Sequence, residues 1–124
     1  MKSILPLLVS LCLLSCAQKE EKHEFHGKWK GKFKSGPLAE ARFREDGTHD
    51  YFMDGKLFSS GKSSFKNDTL RTFDPICDSG DEEYYATYKI DFINRDSIVF
   101  RAIEDTCKPR IYDMDGTGFS RLKP

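Results

Sequence analysis

The 124-residue chain has little histidine, no C-x-x-C pair, no excess of either charge and no apolar run long enough to span a bilayer. Each shortage excludes something. Three histidines leave few candidates for acid–base or metal chemistry: His23 and His26 lie in or beside a charged N-terminal stretch, and His49 sits in a β-prone segment next to a turn. With no third ligand fixed nearby, His23 and His26 make no metal site. Asp113, Asp115 and Gly116 imitate part of a calcium loop, but the glutamate that closes such a loop is missing, and a hairpin turn explains them better. There is no G-x-S-x-G elbow, no P-loop and no dinucleotide fingerprint. No enzyme, cofactor or metal is expected. Twenty Lys and Arg against twenty Asp and Glu leave no basic face, so no nucleic-acid partner is expected either.

What is present begins with an N-terminal signal. Lys2 supplies the positive end, and Ile4 to Leu14 is an eleven-residue apolar run broken by Pro6 and Ser10, too short to span a bilayer as a helix. An ordinary cleavage site wants small residues at −3 and −1. Here Leu13 and Ser15 precede Cys16, which resembles the lipobox of bacterial lipoproteins. The resemblance implies removal of residues 1–15 and acylation of Cys16, which then anchors the chain in a membrane, since two or more acyl chains hold where one does not. A buried thiol in an apolar segment is the alternative. Gln18, Lys19, Glu20 and Glu21 resemble the short signal that sends lipoproteins of the Bacteroidota to the outer face of the outer membrane; a plain solvated linker is the other reading. The expected organisation is a signal at 1–15, a lipidated tether at 16–24 and one domain at 25–124.

Of the four cysteines, Cys12 leaves with the signal and Cys16 is taken by the anchor, so Cys77 and Cys107 remain. Outside the cytoplasm such a pair reads as a disulfide. Metal ligands or a redox pair would use closer spacing. Closing a loop of about 30 residues would stabilise the fold by roughly 3 to 4 kcal/mol in the chain-entropy model.

Beyond the tether the chain is a series of β-prone segments divided by turn signals, with no run long and periodic enough for a helix. Trp29 and Phe33 alternate with lysines. Asp46-Gly47, Asp54-Gly55, Asn67-Asp68 and Asn94 to Asp96 mark tight turns. Ala86, Tyr88, Ile90 and Phe92 share one face. The stretch from Arg110 to Leu122 reads as one bulged strand or a hairpin around Asp115-Gly116. About eight strands result. At this size an open sheet would expose two long edges, so the expected fold is all-β, an up-and-down antiparallel barrel of about eight strands. A two-sheet sandwich is the alternative; it would more often use long Greek-key connections, and only the loop from Asp74 to Glu83 is long enough for one.

Gly27-Lys28-Trp29, Phe43 to Thr48, Asp105 to Arg110 and Gly118 to Arg121 resemble small lipocalin-like lipoproteins, over most of residues 25–122. The family's T-D-Y motif has no counterpart, and the chain is short for a lipocalin. The resemblance implies that Trp29 plugs one end of the barrel with an arginine packed across its ring, Arg121 or else Arg110. It also implies a carrier of a small apolar ligand such as a lipid or fatty acid. Ten phenylalanines and five tyrosines could line a pocket or fill the core. Gly31, Ala41, Gly61, Ser63 and Ala86 would leave room if they point inward. A different class of function is protein binding: Asp74, Asp78, Asp81, Glu82 and Glu83 crowd one loop beside Cys77 and Tyr84, an acidic patch suited to a basic protein partner. Lipoproteins that inhibit lysozyme combine a barrel, an anchor and a disulfide, and Ser79-Gly80 followed by Tyr84 loosely resembles their serine-glycine-tyrosine loop.

Overall fold

The computed structural model describes residues 23–75 and 84–123. Cys16, Cys77, Asp78, Asp81, Glu82 and Glu83, with the signal and most of the tether, lie outside the described residues.

Turn chemistry sets the strand boundaries. Asp54 and Gly55 both take positive φ (50° and 84°), as do Asn67 and Asp68 (53° and 57°), so both hairpins turn on two left-handed residues, the form whose twist matches the flanking strands. Asp, Asn and Gly are the residues that tolerate this conformation. The strands they join are β1 (Gly27–Lys32), β2 (Leu38–Phe43), β3 (Thr48–Met53), β4 (Lys56–Lys66), β5 (Thr69–Phe73), β6 (Ala86–Asn94), β7 (Ser97–Glu104) and β8 (Gly118–Arg121). Each pairs antiparallel with the next, and β8 pairs back onto β1 through Trp29↔Arg121, Lys30↔Ser120 and Gly31↔Phe119. The result is a closed up-and-down barrel rather than two stacked sheets, with no free edge among the described strands.

Alternation decides what fills it. Ala39, Ala41 and Phe43 of β2, and Ala86, Tyr88 and Ile90 of β6, are buried at every second position. Ile98, Phe100, Phe119, Leu70, Trp29 and Phe25 complete the core.

One expectation is overturned. The stretch beginning at Arg110 does not run as a bulged strand or hairpin: Lys108–Met114 is a helix, α1, and only Gly118–Arg121 is strand. Pro109 lies in the first turn, where its missing N–H costs nothing, and the Asp105 carboxylate accepts from the Cys107 N–H at 2.8 Å just before it. Gly116, at φ 80°, then redirects the chain into β8. Arg110 and Met114, four residues apart and therefore on one helix face, are both buried against the barrel mouth.

Candidate functional site

Antiparallel winding gives the barrel two unlike ends. The N-terminal segment and the turns after β2, β4 and β6 meet at one end; the β1–β2 and β3–β4 turns and α1 meet at the other.

The first end is shut. Trp29 Nε1 donates to the Phe25 carbonyl at 2.8 Å, holding the incoming chain beneath the barrel, and the Phe25 ring packs 4.4 Å from Phe43 and 4.6 Å from Phe65. The Arg121 guanidinium lies 4.2 Å over the Trp29 ring and donates to the carbonyls of His26 (3.0 Å), Arg95 (3.3 Å) and Glu24. The structure thus brings Trp29 and Arg121 together, while Arg110 is at the opposite end. A Cβ at Gly27 would stand 3.0 Å from Arg121 Nη1, and the residue has φ 134°, so the Gly-Lys-Trp sequence reflects both backbone conformation and room for the arginine. His23 and His26 do not converge: His23 stacks on Phe92 and pairs with Asp68 at 3.0 Å, whereas His26 pairs with Glu24 at 3.2 Å.

The other end holds a cavity of about 70 Å³ between the barrel and α1. Its walls are mostly apolar, among them Phe33, Ala41, Met53, Leu70, Met114 and Phe119, and its polar residues are Glu40, Tyr51, Thr72, Tyr88, Arg110 and Asp113. Room does not come from the inward glycines. A Cβ at Gly61 would fall 1.9 Å from the Phe73 carbonyl oxygen and 3.0 Å from the His49 ring; one at Gly31 would fall 2.7 Å from the Gly118 carbonyl oxygen and 2.8 Å from Phe119. These glycines accommodate the protein's own side chains and strands. Ala39 and Ala41 do face the cavity.

Behind it lies a buried polar network. Arg110 grips Asp105 with two bonds, Nε to Oδ2 at 2.6 Å and Nη2 to Oδ1 at 2.8 Å, and Asp74 with a third, Nη1 to Oδ1 at 2.9 Å. The Tyr88 hydroxyl donates to Asp105 at 2.7 Å, and the Tyr51 and Thr72 hydroxyls share a bond of 3.0 Å. Burial alone would raise the Asp105 carboxyl, but hydrogen bonds from Arg110, Tyr88 and the Cys107 N–H outweigh it and hold it below the usual carboxylate range. Burial raises both tyrosine hydroxyls well above their ordinary value. His49 is fully buried, stacked 4.3 Å from Tyr51, and neither ring nitrogen makes a hydrogen bond among the described residues; Asp74 Oδ2 is 3.8 Å away. Desolvation, with smaller repulsion from Arg110 and Arg44, pushes its pKa down to about 4 against the pull of Asp50, so the ring is neutral at pH 7.

Asp74 therefore does not belong to a solvent-facing acidic patch. It is 4% exposed and turned toward Arg110, because a buried guanidinium needs carboxylates around it. Tyr84 is half-buried, its hydroxyl enclosed without a hydrogen-bond partner among the described residues. The sequence analysis does not single out Asp105, Tyr51, Tyr88 or Thr72 as site residues, and Arg110, its alternative to Arg121 as the partner of Trp29, belongs to this other end. Strand alternation carried a signal for the tyrosines; nothing local joins Asp74 to Arg110, which are 36 residues apart.

Compared with protein-family models, curated proteins and solved structures, this chain matches none.

Proposed function

We propose that this chain is a lipid-anchored, lipocalin-like binding protein of the outer membrane, facing the cell exterior, whose barrel takes up a small, largely apolar molecule. The observation that carries the reading is the asymmetry of the barrel: one end sealed by Phe25, Trp29 and Arg121, the other retaining an apolar cavity under a short helix. Drug-sized ligands occupy roughly 300 to 1,000 Å³. A cavity of about 70 Å³ instead suits a single ring or a short alkyl chain; a full acyl chain would need Met53, Phe58 or Met114 to swing aside.

Two parts of the framework fit this reading. The chain enters at the sealed end, so a tether from Cys16 would leave the cavity pointing away from the membrane. The Arg110 bond to Asp74 brings together two stretches of chain that lead to Cys77 and Cys107, each three residues from the bonded pair. Three residues reach at most about 10 Å, so both cysteines stay within a short reach of the bonded pair, which favours a disulfide between them.

Displacement of a fluorescent apolar probe from the full chain tests the cavity. Ala39→Leu, which fills it from the wall, should abolish binding with little change in stability. Undiminished binding by that variant would place the ligand elsewhere and redirect the search to a basic protein partner.

A further inference from the structure

The cavity's polar end has a definite charge. Arg110 is its one cationic side chain among the described residues, and all three of its nitrogens already donate to Asp105 and Asp74. Asp113, three residues further along α1 on the same face, also lines the cavity; its Oδ1 accepts from the Ser35 N–H at 3.0 Å, and its other oxygen accepts no hydrogen bond among the described residues. Two carboxylates thus grip the one guanidinium, and a third, Asp113, lines the same cavity. Glu40 also lines the cavity, but its carboxylate is paired with Arg42, which stacks on Phe52, so the two together add no net charge. Lys34 is held away at the Asp115 carbonyl, and the buried His49 is neutral and adds no positive charge to offset the acids.

Resting on the binding reading above, we propose that the cavity selects a molecule with a cationic polar end, an amine on a small apolar body, over a carboxylate of the same size. A carboxylate would enter as a fourth negative charge and would have to compete with Asp74 and Asp105 for a guanidinium that already grips both. An ammonium has Asp113 to receive it, with the Tyr51 and Thr72 hydroxyls as further acceptors. Selection then comes from repulsion as much as attraction.

The test is titration of the full chain, purified under oxidising conditions, with benzylamine, benzyl alcohol and benzoate, followed by NMR shifts of the Met53 and Met114 methyl groups. The expected order is amine, alcohol, carboxylate, with amine and carboxylate separated by about tenfold or more, as like-charge contact in a partly dry site requires. Asp113→Asn should narrow that gap several-fold, chiefly by weakening the amine. Benzoate binding as tightly as benzylamine would overturn the charge selection while leaving the cavity reading intact. Failure of all three to shift the methyl groups would overturn both.

Discussion

Arg121 and Trp29 face each other across the β8–β1 seam, register partners whose guanidinium and indole ring stack at 4.2 Å. The pair closes the barrel in two senses: it sits on the last hydrogen-bonded ladder to form a ring of strands, and its arginine ties down the carbonyls of the entering chain. A stacked, partly desolvated cation–π pair contributes about 1 to 2 kcal/mol.

Arg121→Ala should therefore cost about 2 to 4 kcal/mol, since three carbonyls lose a charged donor along with the ring contact. In a double-mutant cycle with Trp29→Leu, denaturant unfolding should give a coupling of about 1 kcal/mol. Additive losses would mean that the ring contact contributes nothing of its own.

Stability should fall on mild acidification. The His49 pKa drops from 6.5 to about 4 on folding, so between those values the unfolded chain binds more protons and stability rises with pH. Going from pH 7 to pH 4 should remove about 3 kcal/mol. Asp105, depressed in the folded state, acts in the same direction at still lower pH. Denaturant midpoints at pH 7 and 4.5 should differ in the native protein and converge in His49→Leu; an equal acid sensitivity of that variant would exclude His49 as the source.

Removing Arg110 should be far worse than removing a surface arginine. Arg110→Met leaves Asp74 and Asp105 buried without their cation, at about 3 to 5 kcal/mol. Arg42→Met, on the outer face, should cost less than about 1 kcal/mol. Comparable losses from the two substitutions would contradict the burial assigned to the network.

The covalent framework yields to two simple measurements. Intact mass of oxidised protein should rise by two hydrogens on reduction; a dithiol mass under oxidising conditions would remove the bridge between Cys77 and Cys107. Cys16→Ser should release the protein from membranes, and unchanged partitioning into detergent would overturn the anchor.

Much of the barrel could be read from the sequence because its rules are local. The Asp-Gly and Asn-Asp pairs turn where expected, and alternation on β6 places Ala86, Tyr88 and Ile90 inside. The helix was hidden because seven residues are too few for a periodic pattern, and the Asp115-Gly116 pair that ends it has the composition of a hairpin turn. The polar network was hidden for a different reason. Asp74, Asp105 and Arg110 each sit in a connection with no strand alternation to orient it, and only closure of the barrel brings them together. Even the inward glycines mislead: at Gly31 and Gly61 the space a Cβ would need is taken first by the carbonyls of Gly118 and Phe73, with the Phe119 and His49 rings close behind.

The most direct test of the account is native mass spectrometry of the full chain, extracted gently from its own membranes and compared with lipid-stripped material. A single small adduct, lost on stripping and restored one-to-one by an apolar amine, is the result the account predicts. A bare protein mass in both preparations, with no adduct restored at any concentration tested, would contradict it and leave the barrel as a filled scaffold.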